Sequence, residues 1–275
     1  MIVVVGGGTM GAGIAVSFLA VGDTVMVVEM NEGAHATVAD DAKDSLTRLA
    51  RRNTSLDVDE AMNRLSVSSE HPAPDDVVLV IEAIPEDLGL KQRVFAQLET
   101  HYGPSTMLAS NTSSLPISGV ASALDHPDRC LGLHFFNPVP ISSLVEIVVG
   151  EATADERVAE AQSWVEHVGK TPIVVKDSPG FASSRLGLVL GLEAIRMLES
   201  GVASAEDIDT AMELGYRHPM GPLKLTDLVG LDVRLSIAEH LASELGDRFE
   251  PPALLRQMVE DGKLGKKSGQ GFYSW

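Results

Sequence analysis

The chain has 275 residues and carries 39 Asp plus Glu against 21 Lys plus Arg, a formal charge of -18 at pH 7. So acidic a chain lacks the basic face that phosphate neutralisation demands, which argues against nucleic-acid binding. Hydrophobic residues make up 44%, enough for a real core rather than a disordered chain, and aromatics only 4%, so that core must be aliphatic. The single cysteine, Cys130, cannot form an internal disulfide. Its setting in Arg129-Cys130-Leu131-Gly132-Leu133 reads as a buried strand position, which suits a reducing, cytoplasmic setting. The opening Met1-Ile2-Val3-Val4-Val5-Gly6 has no basic n-region, so no signal peptide is expected. The most apolar later stretch, 186–198, is interrupted by Glu193 and Arg196 and falls short of a membrane span.

Short apolar runs alternate with helical patterns through the first two-thirds of the chain. This is the signature of a parallel sheet covered by helices, a doubly wound α/β fold. Strands are expected at 2–5, 24–29, 77–82, 107–110, 130–135, 145–149 and 173–176, many of them β-branched and apolar on both faces. Asp177-Ser178-Pro179-Gly180 then breaks the pattern, and everything from Phe181 onward reads as helices. Two domains are therefore expected, 1–178 and 179–275. The stretch 181–199 is apolar nearly all round, which predicts burial between domains or between subunits. Gly201 is a plausible stop for it, and Ser204 with Asp207 three residues later is an N-cap pattern for the next helix.

Gly6-Gly7-Gly8-Thr9-Met10-Gly11 fits GxGxxG, a weak signal alone. Here a strand runs straight in, a helix over 11–21 runs out, and a second strand ends at Glu29, so the context of a dinucleotide fingerprint is complete. Gly6 allows the tight turn, Gly8 lets a pyrophosphate approach the backbone, and Gly11 lets the helix sit close to the strand. Thr9 and Met10 lie in the turn just before the helix whose N–H groups and dipole would hold the pyrophosphate, and are taken with the glycines as cofactor-binding. Glu29 at the end of the second strand would accept hydrogen bonds from the adenosine ribose and repel a 2′-phosphate, which favours NAD over NADP.

His134 lies in Leu131-Gly132-Leu133-His134-Phe135-Phe136-Asn137-Pro138, at the carboxyl end of an apolar strand, where doubly wound sheets bind ligands. Glu146 opens the next strand, close enough in the chain to pair with the imidazole. Such a carboxylate would fix the tautomer and make His134 a competent general base. Lys43, Arg48, Arg51 and Arg52 form the densest basic cluster, with Arg48 and Arg52 four apart on one expected helical face. The histidines are scattered and no Cys/His spacing matches a metal-ligand set.

Taken in order, Gly6-x-Gly8-x-x-Gly11, Ala109-Ser110-Asn111-Thr112-Ser113-Ser114-Leu115, the His134 motif, Val145-Glu146-Ile147, Pro179-Gly180-Phe181, His218-Pro219-Met220-Gly221-Pro222 and the closing Lys266-Lys267-Ser268-Gly269-Gln270-Gly271-Phe272-Tyr273 closely resemble the 3-hydroxyacyl-CoA dehydrogenase family. The resemblance is greatest to its bacterial 3-hydroxybutyryl-CoA members and covers essentially the whole chain. It implies reversible NAD-dependent oxidation of an L-3-hydroxyacyl-CoA, an N-terminal Rossmann domain and an all-helical C-terminal domain that forms a homodimer. By matching position it implies His134 as base, Glu146 as its orienting partner and Ser113 as the serine that hydrogen-bonds the substrate oxygen. Asn137 matches the residue that seats the nicotinamide end. Glu86, Lys91 and Lys267 match positions around the cofactor, and Ser45 and Arg52 match contacts to CoA. Ser184 departs from the family, which usually carries an asparagine there that contacts the substrate. Two alternatives remain: a dehydrogenase of a non-CoA 3-hydroxy acid, and an NAD-binding relative with weakened catalysis.

Overall fold

The sheet is built from β1 (Ile2–Val5), β2 (Val25–Val28), β3 (Leu65–Ser68), β4 (Leu79–Glu82), β5 (Met107–Ser110), β6 (Cys130–Phe135), β7 (Leu144–Val149) and β8 (Thr171–Lys176). They hydrogen-bond in the order β3-β2-β1-β4-β5-β6-β7-β8. This computed structural model describes residues 1–275, and their contacts divide the chain into two units, Met1–Ser178 and Pro179–Trp275. In the first unit β1, β4, β5 and β6 are buried along their whole length, as aliphatic strands covered on both faces must be. The chain leaves β1 toward β2 and β3, then crosses back to β4 on the other side of β1. The strand order reverses there, and the carboxyl ends of β1 and β4 open the crevice where such sheets take ligands.

Two features depart from the sequence reading. Strand β3 was not expected, because Leu65-Ser66-Val67-Ser68 is short, half polar and only partly buried at the sheet edge. Strand β7 runs antiparallel to β6, and β8 runs parallel to β7. Only residues 136–143 connect β6 to β7, and a parallel crossover needs a dozen residues or more.

The helices of this unit are α1 (Thr9–Leu19), α2 (His35–Ala50), α3 (Val58–Met62), α4 (Leu88–His101), α5 (Ile117–Ala121) and α6 (Asp155–His167). Helix α1 is buried from Gly11 to Leu19, and its small residues allow a close approach to its neighbours. A Cβ on Gly13 would come within 2.9 Å of Val139. Ile14, Phe18, Leu19, Val25, Val27, Leu46, Leu79, Ile81, Leu131 and Leu133 belong to one aliphatic core. Each such side chain contributes about 1.5–3 kcal/mol through burial. Cys130 is fully buried in β6, and desolvation pushes its thiol well up, so it is inert.

The second unit contains α7 (Ser183–Glu199), α8 (Ala205–Gly215), α9 (Pro222–Val229), α10 (Leu231–Leu245) and α11 (Ala253–Glu260), around Leu188, Leu192, Ile195, Leu223, Leu241 and Phe249. Helix α7 ends in a Schellman motif: Gly201 has φ +71°, Val202 N–H donates to Met197 O and Gly201 N–H to Leu198 O. Ser204 caps α8, its Oγ accepting from Asp207 N–H at 3.1 Å. Enclosure of α7 holds for one side only. Leu188, Leu192 and Ile195 are buried, whereas Leu186 is 66% exposed and Val189 and Leu190 are exposed beside it. The tail closes through isolated bridges at Gly265–Gln270 and Gln270–Ser274. Buried Asp227 ties it down, accepting from the N–H groups of Phe272 and Tyr273 and from Trp275 Nε1.

Candidate active site

The glycine-rich turn joins β1 to α1. Gly6 has φ +104°, and a Cβ there would lie 2.7 Å from Ala83 O; one on Gly11 would lie 1.9 Å from Gly6 O, a contact backbone cannot relieve. Gly8 is the opposite case, with nothing within 4 Å of its notional Cβ. It is also the N-cap of α1, no side chain caps that end, and no acidic residue stands in the first turn. An open cradle in front of uncapped helical N–H groups at Thr9 and Met10 fits a pyrophosphate. Glu29 lies just past β2, held by Gly7 N–H on Oε2 at 2.8 Å and Asn31 N–H on Oε1 at 2.9 Å. Gly7, to which the sequence reading gave no role, thus orients the Glu29 carboxylate. Val38 would stand 2.5 Å from any Cβ there.

His134 and Glu146 face each other across the β6–β7 ladder, with Nδ1 2.7 Å from Oε2 and exposures of 5% and 0%. The antiparallel turn makes them directly opposed cross-strand neighbours. A carboxylate only accepts, so Nδ1 carries the proton and Nε2 is the basic nitrogen. His134 borders a cavity of about 360 Å³ with Met10, Glu86, Asn111, Ser113 and Asn137. Asn111, also without a role in the sequence reading, pins the end of β5 to the end of β6: its Oδ1 accepts from Phe135 N–H at 2.9 Å.

Glu86 Oε1 accepts from Thr112 Oγ1 at 2.6 Å and from the N–H groups of Ser113 and Ser114, so it shapes the loop that presents Ser113. Burial works to raise the Glu86 carboxyl, but these hydrogen bonds and the nearby Lys91 outweigh it and hold the group below the ordinary glutamate value. Lys91 is only 1% exposed, and its Nζ donates to Glu82 Oε1 at 2.6 Å and lies 3.4 Å from Glu86 Oε2. It therefore stands behind the pocket wall rather than on it.

Ser45, Arg48, Arg51 and Arg52 line a cleft of about 520 Å³ with Pro138, Pro140 and Ile141. Helix α2 ends at Ala50, so Arg52 lies in the turn beyond it and not on the helical face shared with Arg48. Lys43 is exposed and does not line this cleft. A further cavity of about 330 Å³, bordered by Thr9, Ser45, Arg48, Asn137 and Pro138, shares residues with both of the others. The three clefts are thus neighbours, the middle one sharing Ser45, Arg48, Pro138 and Pro140 with the basic cleft and Asn137 with the His134 cavity. In the second unit, Ser184 lies half-buried in the first turn of α7, and Lys267 pairs with Asp232 at 2.5 Å.

A doubly wound sheet with an open pyrophosphate cradle and a His–Glu pair at the crevice defines a dinucleotide-binding oxidoreductase. Residues 1–178 match the profile of the 3-hydroxyacyl-CoA dehydrogenase NAD binding domain, and residues 180–275 that of its C-terminal domain. The chain belongs to the 3-hydroxyacyl-CoA dehydrogenase family. It is 43% identical over 277 residues to a probable 3-hydroxybutyryl-CoA dehydrogenase of Bacillus subtilis, across 100% of this chain and 96% of that one. It is 40% identical to the mitochondrial hydroxyacyl-coenzyme A dehydrogenase of Rattus norvegicus over 284 residues, 100% of this chain and 90% of the relative. The crystal structure of the (S)-3-hydroxybutyryl-CoA dehydrogenase from Ralstonia eutropha matches with a TM-score of 0.94 at 38% identity, over 100% of this chain and 98% of that one.

Proposed function

We propose that this protein is an NAD-dependent L-3-hydroxyacyl-CoA dehydrogenase acting on short acyl chains. The observation that carries the reading is the His134–Glu146 pair at one end of a row of neighbouring clefts whose other end is basic. Residues at the glycine turn, Glu29, Glu86 and Asn137 would hold NAD, which when bound supplies the hydride acceptor. His134 Nε2 takes the proton from the C3 hydroxyl, and Glu146 fixes the tautomer and stabilises the imidazolium that results. Ser113 donates a hydrogen bond to the substrate oxygen, and Ser45 with Arg52 meets the CoA phosphates. The exposed apolar row of Leu186, Val189 and Leu190 on α7 fits a homodimer through the second unit, which sedimentation at micromolar concentration tests.

The decisive assay follows NADH formation with 3-hydroxyacyl-CoA substrates of short, medium and long chain. Turnover is expected on the short ones, and His134→Ala should lower kcat by about 10²- to 10⁴-fold. Absence of turnover on every acyl-CoA, or full activity in His134→Ala, would overturn the reading.

A further inference from the structure

One pair of buried charges, Glu82 and Lys91, is left unused by the chemistry above. Glu82 ends β4 with 0% exposure, and both its oxygens are occupied. Oε1 accepts from Lys91 Nζ at 2.6 Å and from Ile84 N–H at 2.7 Å, while Oε2 accepts from Ser110 Oγ at 2.7 Å. Lys91 Nζ in turn lies 3.4 Å from Glu86 Oε2, and Glu86 borders the His134 cavity. Three charges therefore stand in series from the core to the pocket wall: negative, positive, negative. Their sum is one negative charge, and two of the three are sealed from solvent and from screening ions.

Hydride acceptance changes the nicotinamide ring from a cation to a neutral group. A hydrogen bond to the ribose is the same in both states, but a fixed charge near the ring is not. Resting on the dehydrogenase reading, we propose that the Glu82–Lys91–Glu86 triad weights the site toward the oxidised dinucleotide, keeping the ratio of the NAD⁺ to the NADH dissociation constant lower than it would be without the triad's net negative charge. Glu82 and Lys91 are positioning residues in this account. They set the charge and place the Glu86 carboxylate, whose hydrogen bonds to the Ser113 loop tie the selector to the substrate side.

Glu82→Gln tests this with little threat to the fold. Its Oε1 can keep both donors, and its Nε2 can donate to Ser110 Oγ, which then accepts. Dissociation constants for NAD⁺ and NADH are measured by calorimetry and by NADH fluorescence, with no acyl-CoA present. The ratio Kd(NAD⁺)/Kd(NADH) should rise about threefold to tenfold in Glu82→Gln and likewise in Glu86→Gln, since each removes one negative charge from the triad that reaches the wall of the His134 cavity. The double variant Glu82→Gln/Lys91→Met restores the net negative charge, and its ratio should return to within about twofold of wild type. Equal weakening of both forms in the single variants, or a double variant displaced further than Glu82→Gln, would reduce the triad to scaffolding. If Glu82→Gln fails to fold, the ratio in Glu86→Gln, a partly exposed site, decides. A wild-type protein that binds neither form would overturn the cofactor assignment beneath the inference, a result distinct from an unchanged ratio.

Discussion

Glu146 is fully buried against the imidazole, and on the proposed reading its carboxylate stabilises the imidazolium formed when His134 takes the proton. Replacing it by glutamine keeps the size but removes the charge that stabilises the imidazolium. A charge-assisted hydrogen bond of this kind contributes about 1.5–3 kcal/mol, so Glu146→Gln should lower kcat by about 10- to 150-fold while the Kd for NAD stays near wild type. Stopped-flow turnover beside calorimetric binding separates the two, and an equal loss in both would mean that the glutamate supports the fold alone. Glu86 offers a pH test. Its folded carboxyl lies below the ordinary 4.5, so between the two values the unfolded chain binds more protons and stability rises with pH. That contribution is present above 4.5 and is lost as pH falls through the folded value. Urea midpoints measured at about pH 6 and about pH 3.5 should fall less in Glu86→Gln than in wild type, and equal falls would refute the assignment. His134 was legible in the sequence because its motif is local. Glu82 was not, since its meaning depends on Ser110, a partner 28 residues away that only strand pairing brings within reach.

Most strands were legible because a buried parallel strand must be aliphatic on both faces, whereas β3 escaped because an edge strand need not be. The reversal at β7 was missed in the expected parallel sheet, because its signal is the short connection after β6, a matter of chain length more than of composition. That connection carries Asn137, Pro138 and Pro140, which border the clefts, and it has its own clamp. Lys170, between α6 and β8, is 8% exposed and donates to Val139 O and Ser142 O, each at 2.6 Å. Burial pulls its ammonium below the ordinary lysine value, yet the two carbonyls keep a donor. Lys170→Met would preserve the apolar stem and leave both acceptors without that donor, at a cost of about 1–3 kcal/mol. The expected signature is a lower melting temperature, faster hydrogen exchange over 138–143 and a raised KM for acyl-CoA. Unchanged exchange there would show that the loop is held by other contacts.

At the scale of the whole chain, the charge of -18 opposes the approach of both anionic ligands. No Lys or Arg occurs in the first 42 residues, which include the glycine turn, so backbone N–H groups and the α1 dipole must meet the pyrophosphate there. On the proposed reading, the arginines that line the 520 Å³ cleft serve a different ligand, the phosphates of CoA. Charge reversal at Arg52 should therefore raise the KM for acyl-CoA at least about tenfold while shifting that for NAD less than about twofold. Moderate salt should ease the long-range repulsion felt by both ligands, so the two KM values are best compared across an ionic-strength series. A gap between them that persists as salt rises marks a local contact at Arg52. A gap that closes marks only the background field, and equal rises in both constants at low salt would contradict the CoA assignment.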